Sequence, residues 1–126
     1  MLCDTHVVLW AAMDSPRLPE RARDLLSDPE SQLWSSAASI WEIVIKSGLG
    51  RSDFTVDPVE LRRSLLVNGY RELAVSGQHA LAIDELPDMH RDPFDRLLVA
   101  QATVEGYLLA TVDTQLIGLP AVLDLR

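Results

Sequence analysis

Asp92-Pro93-Phe94-Asp95-Arg96-Leu97-Leu98-Val99-Ala100-Gln101-Ala102-Thr103-Val104-Glu105-Gly106-Tyr107-Leu108-Leu109-Ala110-Thr111-Val112-Asp113 is the stretch on which the fold turns. Asp92 is a good N-cap, and Pro93 suits a first helical position, where an amide hydrogen has no partner to lose. The helix runs on through Glu105 and meets its stop at Gly106. Residues 107–112 then form the clearest strand of the chain, closed by the Asp113-Thr114 turn. A helix followed at once by a short apolar strand is half of the repeating unit of a parallel α/β sheet.

The same alternation extends outward. Residues 1–4 read as a short buried strand, and the apolar segment 7–13 could begin a helix. Pro19 can open a helix running to about Leu26; residues 32–35 predict a second strand and 38–47 a helix stopped by Gly48 and Gly50. Asp57-Pro58-Val59-Glu60 repeats the cap, proline and third-position acid, and leads a helix to about Val67. A strand at 72–75, a short helix at 78–84, a loop at 86–91 and a last strand at 121–125 complete the pattern. The expectation is an α/β chain with a parallel sheet. In open sheets of this type ligands sit outside the carboxyl ends of the strands, and Asp4 and Asp113 both fall there.

Composition narrows the classes. A chain of 126 residues without an internal repeat or linker reads as one domain, 1–126, and its 48% apolar content argues against disorder. No apolar run approaches the about 20 residues that a bilayer crossing needs, and no signal peptide is visible, so no membrane role is expected. The lone Cys3 rules out an intramolecular disulfide and suits a small core position in a reducing compartment, which makes cytoplasmic the default. The net charge of −8 disfavours an extended grip on duplex nucleic acid and leaves local engagement of a single strand open. It also suits a basic protein partner. Ten of the eleven cations are arginine, Lys46 being the exception, and arginine fits bidentate phosphate contacts.

Four acids lie at the edges of apolar segments: Asp4 after Leu2-Cys3, Glu42 within Ile40-Trp41-Glu42-Ile43-Val44, Asp95 before Leu97-Leu98-Val99, and Asp113 after residues 107–112. A carboxylate near a core costs free energy unless a cation or donors compensate it. Each has an ordinary explanation. Asp4 can cap a helix beginning at Thr5, Glu42 can pair with Lys46 one turn on, and Asp113 can start a turn. Asp95 stands where a capping-box acid stands, as Glu60 does behind Asp57. Jointly, four acids ending separate core elements point to a shared divalent cation, Mg²⁺ being content with two or three carboxylates and several waters.

At this point the residues match a known family. Leu2-Cys3-Asp4-Thr5-His6, Ser39-Ile40-Trp41-Glu42-Ile43, residues 91–102 and Thr111-Val112-Asp113 resemble PIN-domain proteins, and among them the VapC-type toxins of bacterial toxin–antitoxin pairs. The similarity spans essentially the whole chain, with residues 91–102 its most specific part. It implies a PIN-like three-layer α/β/α sandwich with a short central parallel sheet. It also implies a Mg²⁺-dependent endoribonuclease, Mn²⁺ being a possible substitute, held in check by a VapB-type antitoxin lying across its groove. Carried over by position, the catalytic and metal-binding acids are Asp4, Glu42, Asp95 and Asp113, with Asp4 and Asp95 the principal ligands. Asp92 is a cap or an added ligand, and the cap is favoured. Leu116 stands where the family often has an aromatic, a change in packing more than in chemistry.

The chemistry so implied is attack of an activated water, in line, on an RNA phosphodiester. Thr5, Ser39 and Thr111 are candidates to orient the carboxylates, and Arg96 and Arg51 to meet phosphate or antitoxin. His90 is a weak candidate base. Trp10, Trp34 and Trp41 fit core or interface packing better than base stacking, and a homodimer through residues 7–10 or Trp34 is expected. A receiver domain needs paired acids after its first strand and a late lysine; a haloacid-dehalogenase-type phosphatase needs an acid where His6 stands. Both fail on residues. The alternative of another class is a catalytically inactive PIN-fold protein-binding module.

Overall fold

A computed structural model describes residues 1–88 and 92–126, the side chain of Asp53 excepted. Five strands, β1 (Leu2–Cys3), β2 (Trp34–Ser36), β3 (Arg71–Leu73), β4 (Leu109–Thr111) and β5 (Val122–Asp124), form one sheet in the order β3-β2-β1-β4-β5. Every pairing is parallel, Leu2 standing opposite Trp34 on one side and Leu109 on the other. The helices are α1 (Thr5–Ala12), α2 (Glu20–Ser27), α3 (Ala37–Gly48), α4 (Pro58–Val67), α5 (Gly77–Ala82) and α6 (Pro93–Glu105).

Side chains alternate across a strand, and here the alternation sorts two cores. Cys3 and Ala110 pack with Val7, Val8 and Leu9 of α1, Ala22 of α2, Ile43 of α3, and Leu61 and Leu65 of α4. Their neighbours Leu2 and Leu109 pack with Leu98, Val99 and Ala102 of α6 and with Leu116. Helices therefore cover both faces, giving the expected α/β/α sandwich. Leu116 is fully buried, in keeping with a packing role.

The elements fall where the sequence places them, with edges shifted by a residue or two. Asp4 caps α1 from outside, accepting from the Val7 amide at 2.9 Å, so the helix begins at Thr5. Gly106 closes α6 at φ 73°, a left-handed conformation that a β-carbon disfavours. Part of the expected 86–91 loop, with His90 and Arg91, lies outside the described residues.

Strand order fixes where a ligand can sit. The chain steps outward from β1 to β2 and β3, then returns to lay β4 against the other side of β1. Connections leaving β1 and β4 go opposite ways and open a crevice at their carboxyl ends. Asp4 directly follows β1, and Asp113 stands two residues beyond β4.

Candidate active site

Asp4 is held at the mouth of this crevice by the pairing of β1 and β4, its amide donating to the Ala110 carbonyl at 3.0 Å. One carboxylate oxygen accepts from the Val7 amide and the other from the Thr111 hydroxyl. Burial is the main reason its pKa is raised, opposed by those two donors and by His6, while Asp113 adds to it. Thr111 also accepts from the Asp113 amide at 3.0 Å, and Asp113 Oδ1 accepts from Gln115 N at 2.9 Å. One hydroxyl thus links the two acids that follow adjacent strands.

Glu42 arrives from α3, which starts directly after β2. Glu42 is 3% exposed while Trp41 and Val44 are 58% and 51% exposed, so the acid faces inward and part of its apolar flank faces out. At 100° per residue a helix cannot bury all of Ile40, Trp41, Ile43 and Val44 on one side. Of the core and interface alternatives, Trp41 is accordingly not core: it is a surface residue, with its ring edge-on to Phe94 at 5.2 Å. The Thr5 hydroxyl donates to Glu42 Oε1 at 2.6 Å and lies 3.0 Å from Ser39 Oγ. Lys46 pairs with Oε2.

Asp95 is the third residue of α6, whose N-cap Asp92 accepts from Phe94 N at 2.9 Å and Asp95 N at 3.3 Å. Asp92 is thus the cap that its spacing suggests. Burial, then the charges of Asp92, Glu42, Asp4 and Asp113, push the Asp95 carboxyl up to about 8. Four separate acids felt at one carboxyl is the electrostatic signature of convergence.

These side chains line one cleft of about 210 Å³: Asp4, Glu42, Asp92, Asp95 and Asp113, with Thr5, His6, Lys46 and Arg51. Among the described residues no three carboxylate, imidazole or thiol groups stand close enough together to chelate an ion as they are. The donor set is nonetheless all hard oxygen, suited to Mg²⁺ or Mn²⁺, and a cation is what would relieve the strain at Asp95. A larger cavity, about 530 Å³, lies elsewhere between α1, α2 and α4 and contains none of the four acids.

Other sequence candidates divide. Arg51 lines the cleft, but Arg96 does not; its guanidinium turns to the Ile83 carbonyl at 3.5 Å. Of residues 7–10, Val7, Val8 and Leu9 are fully buried and Trp10 is half-buried. Trp34 is half-buried, stacked on Tyr107 at 5.4 Å. Cys3 is buried, its thiol pushed up to about 12 by burial and by Asp4.

Sequence reasoning passed over His6 and Lys46 as cleft residues. The signal was their spacing, two residues past Asp4 at a helix start and one turn past Glu42 on the same helical face. It also missed a buried polar chain between β2, α5 and α6. Ser36 donates to Gln101 Oε1 at 2.6 Å, His79 Nδ1 accepts from Ser76 N at 3.0 Å, and His79 Nε2 meets Glu105 at 2.8 Å. With Nδ1 accepting, the Nε2 proton points at Glu105.

A family model of the PIN domain matches residues 1–121. No curated protein matches the sequence. Among solved structures, the chain is similar to a toxin-antitoxin complex from Klebsiella pneumoniae, with TM-score 0.70, 18% identity, and 99% of this chain and 97% of that one covered. It is similar to a DNA-bound VapBC from Salmonella typhimurium, with TM-score 0.70, 15% identity, and coverage of 99% and 97%. VapBC2 from Rickettsia felis, bound to a DNA fragment from its promoter, gives TM-score 0.65, 14% identity, and coverage of 97% and 94%. At these identities the likeness is one of fold.

Proposed function

The chain belongs to the PIN-domain family, and on that premise we propose that it is the toxic component of a type II toxin–antitoxin system, a Mg²⁺-dependent endoribonuclease. The observation that carries this reading is that Asp4, Glu42, Asp95 and Asp113, from four separate elements, line one cleft at the switch in strand order. Acids packed together in this way raise one another's pKa and weaken the fold, which makes them hard to explain as architecture.

Asp4 and Asp95 would hold the ion, with Glu42 and Asp113 completing the acidic set. When bound there, a divalent ion supplies a Lewis acid that lowers the pKa of water and offsets charge on phosphorus. The chain's own work is orientation. Thr111 and the Val7 amide fix Asp4, and Thr5 fixes Glu42 with Ser39 behind it. Such outer partners set the direction in which a ligand oxygen points.

RNA is the proposed substrate, as the resemblance to PIN-domain toxins implies, and a VapB-type antitoxin is the proposed partner, because the solved structures of this fold named above include VapBC complexes. A cytoplasmic setting and a homodimer complete the proposal. For the dimer, the exposed Trp41 and Val44 on α3 and Leu49 just beyond it stand beside the half-buried Trp10 and Trp34 as candidate surfaces. Among the described residues no helix is long and apolar enough to cross a membrane.

The deciding experiment is cleavage of defined RNAs by purified chain with Mg²⁺, Mn²⁺ or EDTA, beside Asp4→Asn and Asp95→Asn prepared identically. Metal-dependent cleavage lost in both variants is the expected result. Equal activity in all three, or none across a panel that includes tRNA and rRNA, would favour an inactive PIN-fold binding module.

A further inference from the structure

Glu42 and Lys46 stand one turn apart on α3, and their pair is withdrawn from water, the side chains being 4% and 16% exposed. Both oxygens of Glu42 are taken, Oε1 by the Thr5 hydroxyl and Oε2 by the Lys46 ammonium. The ammonium also lies 5.1 Å from the centre of the Phe54 ring and 5.8 Å from that of Phe94. A solvated lysine keeps several free torsions, whereas this one is confined by an ion pair and two aromatic rings. It lines the same cleft as Asp4, Asp95 and Asp113.

Asp4 differs in kind. Its hydrogen-bond donors, the Val7 amide and the Thr111 hydroxyl, are neutral, and the charge of His6 acts on it beside them. An ion seeking Glu42 would have to evict an ammonium and leave it unpaired in a partly buried place, which is costly. An ion seeking Asp4 meets a carboxylate whose two hydrogen-bond donors are neutral. In two-metal sites the ions sit about 3.5–4 Å apart and share the charge of the reacting phosphate. A cleft that already holds a fixed ammonium beside one of its acids has a cation where a second ion would need that acid.

We propose that Lys46 stands in the place of a second metal ion, so that the cleft takes a single divalent ion, on the side of Asp4, Asp95 and Asp113. This deepens the nuclease reading and rests on its premise that the acids hold metal. Glu42 then acts as a positioning residue for the ammonium.

The test counts Mn²⁺ bound per chain by calorimetry, on the purified full chain and on variants whose folding is checked by circular dichroism. One ion is expected for the native chain and for Lys46→Arg, which keeps the charge. Two are expected for Lys46→Met, which frees Glu42, and one again for the double variant Glu42→Gln with Lys46→Met. Two ions on the native chain overturn the proposal without any variant. One ion on folded Lys46→Met also overturns it, with Lys46→Gln as the substitute should the Met variant fail to fold. Loss of the native ion in Asp95→Asn alongside either of those results leaves the metal reading standing and removes only the role of Lys46. No Mn²⁺ on the native chain removes both.

Discussion

The two helix starts Asp57-Pro58-Val59-Glu60 and Asp92-Pro93-Phe94-Asp95 obey the same local grammar and end in different chemistry. In each, the first Asp is the N-cap, accepting from Val59 N at 3.0 Å in α4 and from Phe94 N at 2.9 Å in α6. In each, proline takes the first helical position. The acids at the third position then part company. Glu60 is well exposed and pairs with Arg63 at 2.6 Å, a surface contact that solvent screens. Asp95 faces other acids in a cleft, and its carboxyl is pushed up to about 8 by burial and by Asp92, Glu42, Asp4 and Asp113. Capping decides where a helix begins; the strand order decides what its first turn meets. The start of α6 is aimed at the crevice beyond β1 and β4, where Asp4 and Asp113 already stand.

Exchanging the carboxylate for an amide at each site should give the widest separation. Asp95→Asn removes a proposed ion ligand and should lower RNA cleavage by more than about 100-fold, the upper end of what losing an outer partner alone costs. Glu60→Gln should leave cleavage within about twofold, since an exposed pair is all it gives up. Single-turnover rates at saturating Mg²⁺ measure both. A comparable loss in the two variants would mean that the first turn of α6 has no chemistry that α4 lacks.

Next in size is a dependence of stability on pH. An ordinary Asp titrates near 3.9 in an unfolded chain, and Asp95 titrates at about 8 in the fold. Between those values the folded chain binds more protons than the unfolded one, so stability falls as pH rises from about 4 to about 8. Asp4, also raised, acts in the same direction. The metal-free native chain should therefore melt at a lower temperature at pH 8 than at pH 5.5. Asp95→Asn should show a shallower slope and Glu60→Gln an unchanged one. Mg²⁺ should restore more stability at the higher pH, where protons compete least for the carboxylates. Thermal melts across pH with EDTA or Mg²⁺ test this, and a native slope equal to that of Asp95→Asn would refute it.

These contrasts mark how far the sequence could be read. Caps, prolines and stop glycines are local, and they placed α4 and α6 almost to the residue because their energetics involve neighbouring amides. The positions of Asp4 and Asp113 were equally legible, since a strand end is where a parallel sheet leaves room. Side-chain facing was not. Trp41, read as core or interface, stands at the surface, while Glu42 is the residue that turns in; apolar flanks alone do not give the phase of a helix. Arg96 follows Asp95 directly, yet a step of 100° carries it to the Ile83 carbonyl rather than into the cleft. Lys46 was counted only as a surface partner because burial of its pair depends on Phe54 and Phe94, which approach from other segments.

The smallest effect separates the caps themselves. Asp57→Ala and Asp92→Ala each remove a side-chain acceptor from the first turn, at a cost of about 1 kcal/mol in a typical helix. Among the described residues Asp57 is not one of the charges that raise Asp4 or Asp95, so its cost should be the same at every pH between about 5 and 8. Asp92 is the leading charge among those that raise Asp95, and its removal should lower that pKa and return part of the lost stability. The relief operates only where Asp95 would be forced to ionise. Hence Asp92→Ala should match Asp57→Ala near pH 5, where the Asp95 carboxyl is protonated, and be the milder of the two near pH 8 in EDTA. Urea unfolding at the two pH values resolves a difference of a few tenths of a kcal/mol if both variants are run side by side. Parallel pH profiles would show that Asp92 acts on Asp95 only as its cap, and the electrostatic half of the contrast between the two helix starts would fall.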